Sequence, residues 1–306
     1  MKKQGLSKIF ADSFKEYKLG FWDYAKIIFL LSFVPAIIFA FVNIVAQNQY
    51  PTVFTEFNES SGITFEESFS GYFQPGAINF TVALIVLAIL GLILSIILFA
   101  TLTYKSLNPK KKSKESLKNG MKYAGAYFWM LVLQFLVLGL FAIGAFSFFG
   151  YLSSLLANPA INATSIIFLI LFLIISIVSL IFGAAATIYW MFNNYFLIDK
   201  NTGILKSFSE SYRLVKKRWW LTLSYFLLFV GIIIVFFIIF MIPTFIIGVL
   251  TALPDALGAQ ITMTLSLIFA FIEEVLSYVA NLFIMPAGYI FFKNLYVEYK
   301  KTKPKK

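Results

Sequence analysis

A thirteen-residue pattern occurs three times in this chain, and each copy runs straight into an apolar stretch: FADSFKEYKLGFW at Phe10 to Trp22, LKNGMKYAGAYFW at Leu117 to Trp129, and FSESYRLVKKRWW at Phe208 to Trp220. In register, Phe10, Leu117 and Phe208 share a column. Phe14/Met121/Tyr212, Lys15/Lys122/Arg213, Phe21/Phe128/Trp219 and Trp22/Trp129/Trp220 follow, with small or polar columns at Asp12/Asn119/Glu210 and Ser13/Gly120/Ser211. Self-similarity at a long period marks a chain built from repeated supersecondary units. The unit here is a short basic helix followed by a pair of membrane spans.

Spacing explains why each copy is helical. Apolar residues at Phe208, Tyr212, Val215 and Trp219 advance by steps that return to one face at 3.6 residues per turn. Phe10, Phe14, Tyr17 and Phe21 repeat those steps, as do Leu117, Met121, Ala124 and Phe128, and the remaining face carries Lys and Arg. A basic amphipathic helix running into a span is expected to lie among the headgroups with its aromatic side toward the acyl chains. Lys15, Trp22, Lys122, Trp129, Arg213, Trp219 and Trp220 are then the candidate lipid-interface residues, each indole marking the water boundary where it can still hydrogen-bond. The alternative is a plain cytoplasmic extension of each span, with snorkelling lysines.

The chain is 60% hydrophobic, and its apolar runs reach the length of about 20 residues that a helix needs to cross a hydrocarbon core. It therefore reads as an all-α polytopic membrane protein. A formal charge of +11 needs no nucleic-acid partner in such a chain. Neither Cys nor His occurs, so disulfides, thiolate metal sites, the commonest general base and the commonest metal ligand are missing. No cofactor is expected.

In order, the spans are expected at about Trp22 to Ala46, Ala77 to Tyr104, within Phe128 to Leu156, Thr164 to Ile198, Trp219 to Leu250, and within Ala259 to Phe292. The first reads as a retained span, because no small-residue cleavage site follows it. Pro35 and Pro243 predict kinks. The repeat units are about 6–104, 113–198 and 204–299 of a single membrane domain, with an acidic external loop at 47–76 and a basic tail at 300–306. Sequons at Asn58, Asn79 and Asn162 fall on the outer side, where Asn, Ser and Thr are common anyway.

All 25 Lys and Arg fall in the segments ending at Lys26, 105–122, 200–218 and 293–306, and none falls in the three alternate loops. The positive-inside rule then places both termini in the cytoplasm of a multi-pass cell-membrane protein. Lysines on that side meet anionic headgroups, each contributing about 1 kcal/mol near the surface. Even spans repeat as well: Tyr189, Phe192, Asn194 and Lys200 match Tyr289, Phe292, Asn294 and Lys300.

One intramembrane polar constellation stands out. Glu273, Ser277 and Asn281 share a helical face, with Glu274 and Tyr278 beside them. Ionisable residues inside a span are costly and mark ion or substrate paths. Counting back about 20 residues from Phe292, however, reaches Glu273, which favours the outer interface. Gln134, Asn193 and Asn194 are expected to make interhelical or interfacial hydrogen bonds.

The passage from Asn193 to Leu228, NNYFLIDKNTGILKSFSESYRLVKKRWWLTLSYFLL, resembles uncharacterised bacterial and archaeal six-span families related to the glycerophosphodiester phosphodiesterase membrane domain, most specifically around Asp199 to Trp220. The resemblance implies a membrane domain that, in the phosphodiesterases, precedes a soluble catalytic barrel. This chain has no room for that barrel and no histidine for its catalysis. EEVLSY at Glu273 to Tyr278 resembles the paired glutamates of intramembrane CAAX-type proteases, without their Arg (here Tyr278) or their histidines. The expected function is a non-enzymatic scaffold or membrane-organising domain contacting lipid or a partner protein. A small-solute transporter using Glu273 and Glu274 is the alternative, ahead of an intramembrane enzyme.

Overall fold

In a computed structural model, residues 6–49, 75–157, 163–256 and 263–302 are described. Most of the expected acidic loop, Asn58, Asn162 and the last tail residues lie outside them. Among the described residues all regular structure is helical: α1 (Leu6–Ile28), a π-helical segment (Phe29–Phe33), α2 (Val34–Gln49), α3 (Pro75–Leu107), α4 (Ser113–Ala157), α5 (Ala163–Tyr189), α6 (Asn193–Asp199), α7 (Ile204–Val215), a 3₁₀ turn (Lys216–Arg218), α8 (Trp219–Ala256) and α9 (Met263–Lys301).

Among the described residues, six helical stretches are long and apolar enough to cross a membrane: Ser7–Ala46, Ile78–Leu107, Ser113–Leu156, Thr164–Asp199, Ile204–Phe240 and Ile268–Lys301. Their surfaces carry the matching chemistry. Phe135, Ile143, Ile167, Phe182 and Phe245 are all largely exposed, in a density of bare apolar area that water-soluble chains do not tolerate but hydrocarbon covers at no cost.

The described residues divide into two compact units, one of Leu6–Met121 with Phe229–Phe291, the other of Lys122–Leu228 with residues 292–302. The boundaries fall inside α4, α8 and α9, so each of these helices contributes to both.

In the first unit, the core gathers Tyr24, Ile27, Ile28 and Leu31 against Leu98 and Leu102 of α3 and Ile290 of α9. Proline shapes this packing twice. The π-helical turn lies directly ahead of Val34-Pro35, where a ring without an N–H would otherwise crowd the carbonyl one turn back. On α9, Pro286 leaves the Leu282 carbonyl without its helical donor, and the Tyr17 hydroxyl supplies one at 3.0 Å. Tyr278, packed between Phe29 and Phe33, donates to the Ala25 carbonyl at 3.2 Å.

The α3–α4 turn hangs on a fully buried lysine. Lys105 Nζ reaches Asp23 Oδ2 at 2.8 Å and the Pro109 carbonyl at 3.0 Å, and it also donates to the Lys111 carbonyl. The second Asp23 oxygen accepts the Ser113 N–H at 3.0 Å, capping the start of α4 from a different helix. Lys111, outside the spans, pairs with Glu115; that hydrogen bond and charge raise its pKa.

In the second unit the spacing predicts one unbroken span to Ile198, but the helix stops at Tyr189 and restarts at Asn193. Two adjacent asparagines turn their side chains onto backbone N–H groups, Asn193 Oδ1 accepting from Asn194 and Asn194 Oδ1 from Tyr195. Ser211 bridges the gap, its Oγ donating to the Tyr189 carbonyl at 2.7 Å and accepting the Phe192 N–H at 3.1 Å. The helix carries on through the basic segment from Lys293 as far as Lys301. Asp199 accepts from Tyr296 at 2.8 Å and from Lys300 at 2.6 Å, while Arg218 donates to the Tyr299 carbonyl at 3.2 Å, to Thr302 Oγ1 at 2.9 Å and to the Thr302 carbonyl.

Candidate functional site

The three repeated segments keep matched positions in matched surroundings. Trp22, Trp129 and Trp220 are 74%, 61% and 76% exposed. Phe14, Met121 and Tyr212 are exposed one column earlier, as are the cations Lys15, Lys122 and Arg213. The inward face is the part that apolar periodicity does not reveal. Ile9, Ser116 and Ser207 are buried, and so are Ser13, Gly120 and Ser211 one turn later. Small side chains let the backbone come close: a Cβ on Gly120 would lie 2.3 Å from Thr101 Oγ1 and 2.6 Å from Thr101 Cα. The signal was present in the sequence as the Ser13/Gly120/Ser211 column.

Three expectations about these segments change. A separate short helix was expected ahead of each span, yet only α7 is separate; the first two copies are continuous with α1 and α4. Gly20 and Gly125 lower helix propensity by about 1 kcal/mol each but remove no hydrogen bond, so nothing stops those helices. The third copy tightens into a 3₁₀ turn where Arg218 is drawn onto Thr302. On α7, Phe208 turns toward protein, edge-on to Trp190 at 4.9 Å, while Tyr212 meets Tyr189 at 4.8 Å and stays exposed on its other side. Finally, Trp219 is half-buried against Trp220, and its indole N–H has no acceptor among the described residues, so Trp220 alone holds the outward position there. A rotation of about 100° per residue makes neighbouring tryptophans face differently.

On α9 the four polar residues singled out by spacing do converge. Glu273, Glu274, Ser277 and Asn281 line one crevice of about 430 Å³ with Phe237 and Phe240 of α8. Glu274 also lines a second crevice of about 520 Å³, whose α3 wall runs between Leu87 and Ser95. That wall brackets Gly91, the middle residue of the 33-residue α3. Tyr278 points away from both, into its contact with Ala25. Among the described residues, no three His, Cys, Asp or Glu side chains are grouped as a metal ion would require.

Gln134, Asn193 and Asn194 make interhelical contacts. Asn193 Nδ2 donates to Gln134 Oε1 at 3.4 Å, and Asn194 Nδ2 reaches the Tyr127 hydroxyl at 3.5 Å.

No curated protein and no solved structure matches the chain. A family model does match, over residues 17–298, which takes in the four middle apolar stretches whole, most of the first and last, the buried Lys105 and the α9 glutamates. The chain belongs to the family of unknown function DUF7544.

Proposed function

We propose that this protein is a non-enzymatic integral protein of the cell membrane, with both termini cytoplasmic, that organises lipid through its three basic aromatic segments and so scaffolds a membrane patch or a partner protein. The observation that supports this most directly is the shared exposure of Trp22, Trp129 and Trp220 alongside Lys15, Lys122 and Arg213, opposite a shared buried face of small residues. An internal threefold repeat of amphipathic segments accounts for that sharing, because each segment joins its span at the same tryptophan column. Anionic lipid attracts cations on the cytoplasmic face at about 1 kcal/mol each. We further propose kinship with the membrane domains of glycerophosphodiester phosphodiesterases, on the strength of Asp199 to Trp220. What is inferred from it is a membrane-domain role, not the activity.

The test is lipid retention by the purified protein. Lys15→Gln, Lys122→Gln and Arg213→Gln together remove three charges, which at about 1 kcal/mol each corresponds to roughly a hundredfold weaker enrichment of anionic over neutral lipid. The loss should be larger at low salt, since screening suppresses the attraction at high salt. Equal retention by wild type of neutral and anionic lipid would reduce these segments to structural collars.

Glu274 supports a second reading, a small-solute transporter, because it faces two crevices near the middle of α3 rather than the outer end of its own helix. The scaffold reading expects Glu273→Gln with Glu274→Gln to leave folding nearly unchanged. If that variant folds but abolishes proton- or ion-coupled uptake in reconstituted vesicles, the transporter reading takes over.

A further inference from the structure

The α3–α4 turn and α1 enclose a groove of about 420 Å³ lined by Asp12, Lys15, Glu16, Leu19, Gly20, Pro109 and Lys110. We propose that it binds the headgroup of a zwitterionic phospholipid carrying a primary ammonium. This rests on the lipid-contacting reading above and narrows it to one site and one headgroup class.

Three observations carry the proposal. First, the groove is built rather than incidental. Its far wall is the turn that buried Lys105 fixes through the Pro109 and Lys111 carbonyls, and Lys105 is itself tied to α1 through Asp23. A wall held in this way needs little ordering when a ligand arrives. Second, its charges are both available and mixed. Lys15, Lys110 and Asp12 are exposed, and none makes an ion pair among the described residues. Two cations suit a phosphate, but the Asp12 and Glu16 carboxylates would repel a headgroup with no positive charge of its own. Third, the order along α1 is that of a phospholipid. Asp12, Lys15, Glu16 and Leu19 share one face, and Asp12 lies about 10 Å from Leu19 along the axis, on the side away from the span. From water inward the ligand would meet a carboxylate for ammonium, then Lys15 and Lys110 for phosphate, then Leu19 and Trp22, both largely exposed, for the first methylenes. A free phosphate uses neither the carboxylates nor the apolar end. An anionic lipid uses only the lysines and the apolar end.

The experiment is native mass spectrometry of the full chain in detergent, titrated with short-chain phosphatidylethanolamine, phosphatidylglycerol or phosphatidylcholine, and with phosphoethanolamine as the headgroup alone. In a Lys122→Gln, Arg213→Gln background, which removes the other two cations of the proposed lipid-contacting layer, the chain should retain one phosphatidylethanolamine about tenfold more tightly than phosphatidylglycerol, and the further substitutions are made in that background. Phosphatidylcholine should bind more weakly, because its ammonium has no N–H to donate. Asp12→Asn should bring the ratio near one and Asp12→Lys should invert it. Lys15→Gln with Lys110→Gln should lose both lipids, while Lys15→Arg with Lys110→Arg keeps them. The proposal is overturned if Asp12→Asn leaves the ratio unchanged, if the Lys122→Gln, Arg213→Gln background still prefers phosphatidylglycerol, or if phosphoethanolamine binds as tightly as the lipid. Failure of the broader reading looks different: anionic-lipid enrichment insensitive to Lys122→Gln and Arg213→Gln, with Asp12-dependent phosphatidylethanolamine retention still present.

Discussion

The Tyr17 hydroxyl donates to the Leu282 carbonyl, the acceptor that Pro286 leaves without a backbone partner four residues later. Between packed helices such a carbonyl has few other donors, so one side chain of α1 stands in for a missing α9 N–H. Tyr17→Phe should therefore destabilise the protein by about 1–2 kcal/mol. The same change in a Pro286→Ala background should cost much less, because alanine restores the N–H. Unfolding of the two single variants and the double variant in detergent measures the coupling. Additive losses would separate the tyrosine from the proline.

Gly120 should tolerate no side chain. A Cβ there meets Thr101 at its backbone Cα as well as its hydroxyl, so rotating Thr101 gives no relief. Gly120→Ala should cost about 1–3 kcal/mol, as forced overpacking does. Gly125, with nothing within 4 Å of its virtual Cβ, is the matched control, and Gly125→Ala should be neutral or slightly stabilising. Equal thermal stability of the two variants would remove close α3–α4 packing as the reason for the small column.

At the α3–α4 turn the two halves of one ion pair should be unequal. Lys105 is fully buried and serves three acceptors, whereas the Asp23 side chain is 31% exposed. Asp23→Asn leaves a fully buried ammonium without its counter-charge and should cost about 3 kcal/mol. Lys105→Met leaves a carboxylate that water can reach and two carbonyls without a donor, and should cost about 1–2 kcal/mol. Protease sensitivity at Lys110 to Lys112 reads the release of the turn. The opposite ranking would mean that the Pro109 and Lys111 carbonyls, not the Asp23 charge, are what the lysine holds in place.

The proposed cytoplasmic placement of both termini is testable by topology mapping. Reporter fusions after Phe57, Asn158 and Asp255 should report outside, and fusions after Lys112, Asn201 and Lys306 inside. An outside signal after Lys112 would remove the six-span arrangement.

The number and positions of the spans were legible because length and hydropathy act within each segment and need no partner. The Glu273/Ser277/Asn281 face was legible for the same reason, since one helix fixes its geometry. What the sequence withheld depends on partners far away. Apolar steps drew attention to Phe10, Phe14 and Tyr17, but the matched positions buried in all three segments are Ser13, Gly120 and Ser211, whose small side chains let backbones approach closely and so carry no hydropathy signal. The break at Tyr189 needs Ser211 from another helix. The side-to-side level of Glu274 needs the α3 wall, since counting along α9 assumes that the helix ends where the bilayer does, and α9 continues to Lys301.

The interleaving of the two units bears on how the protein is made. Tyr17 and Leu282 are separated by 265 residues, which at typical synthesis rates is roughly 15–50 s of translation. During that interval α1 is already committed to the bilayer while its partners on α8 and α9 do not yet exist. Its aromatic face, with Phe10 and Tyr17, must be covered by lipid or by the insertion machinery until then. A nascent chain halted at Leu228 contains every residue of Leu6–Met121 but none of Phe229–Phe291, so that unit closes only after the last helix has left the ribosome.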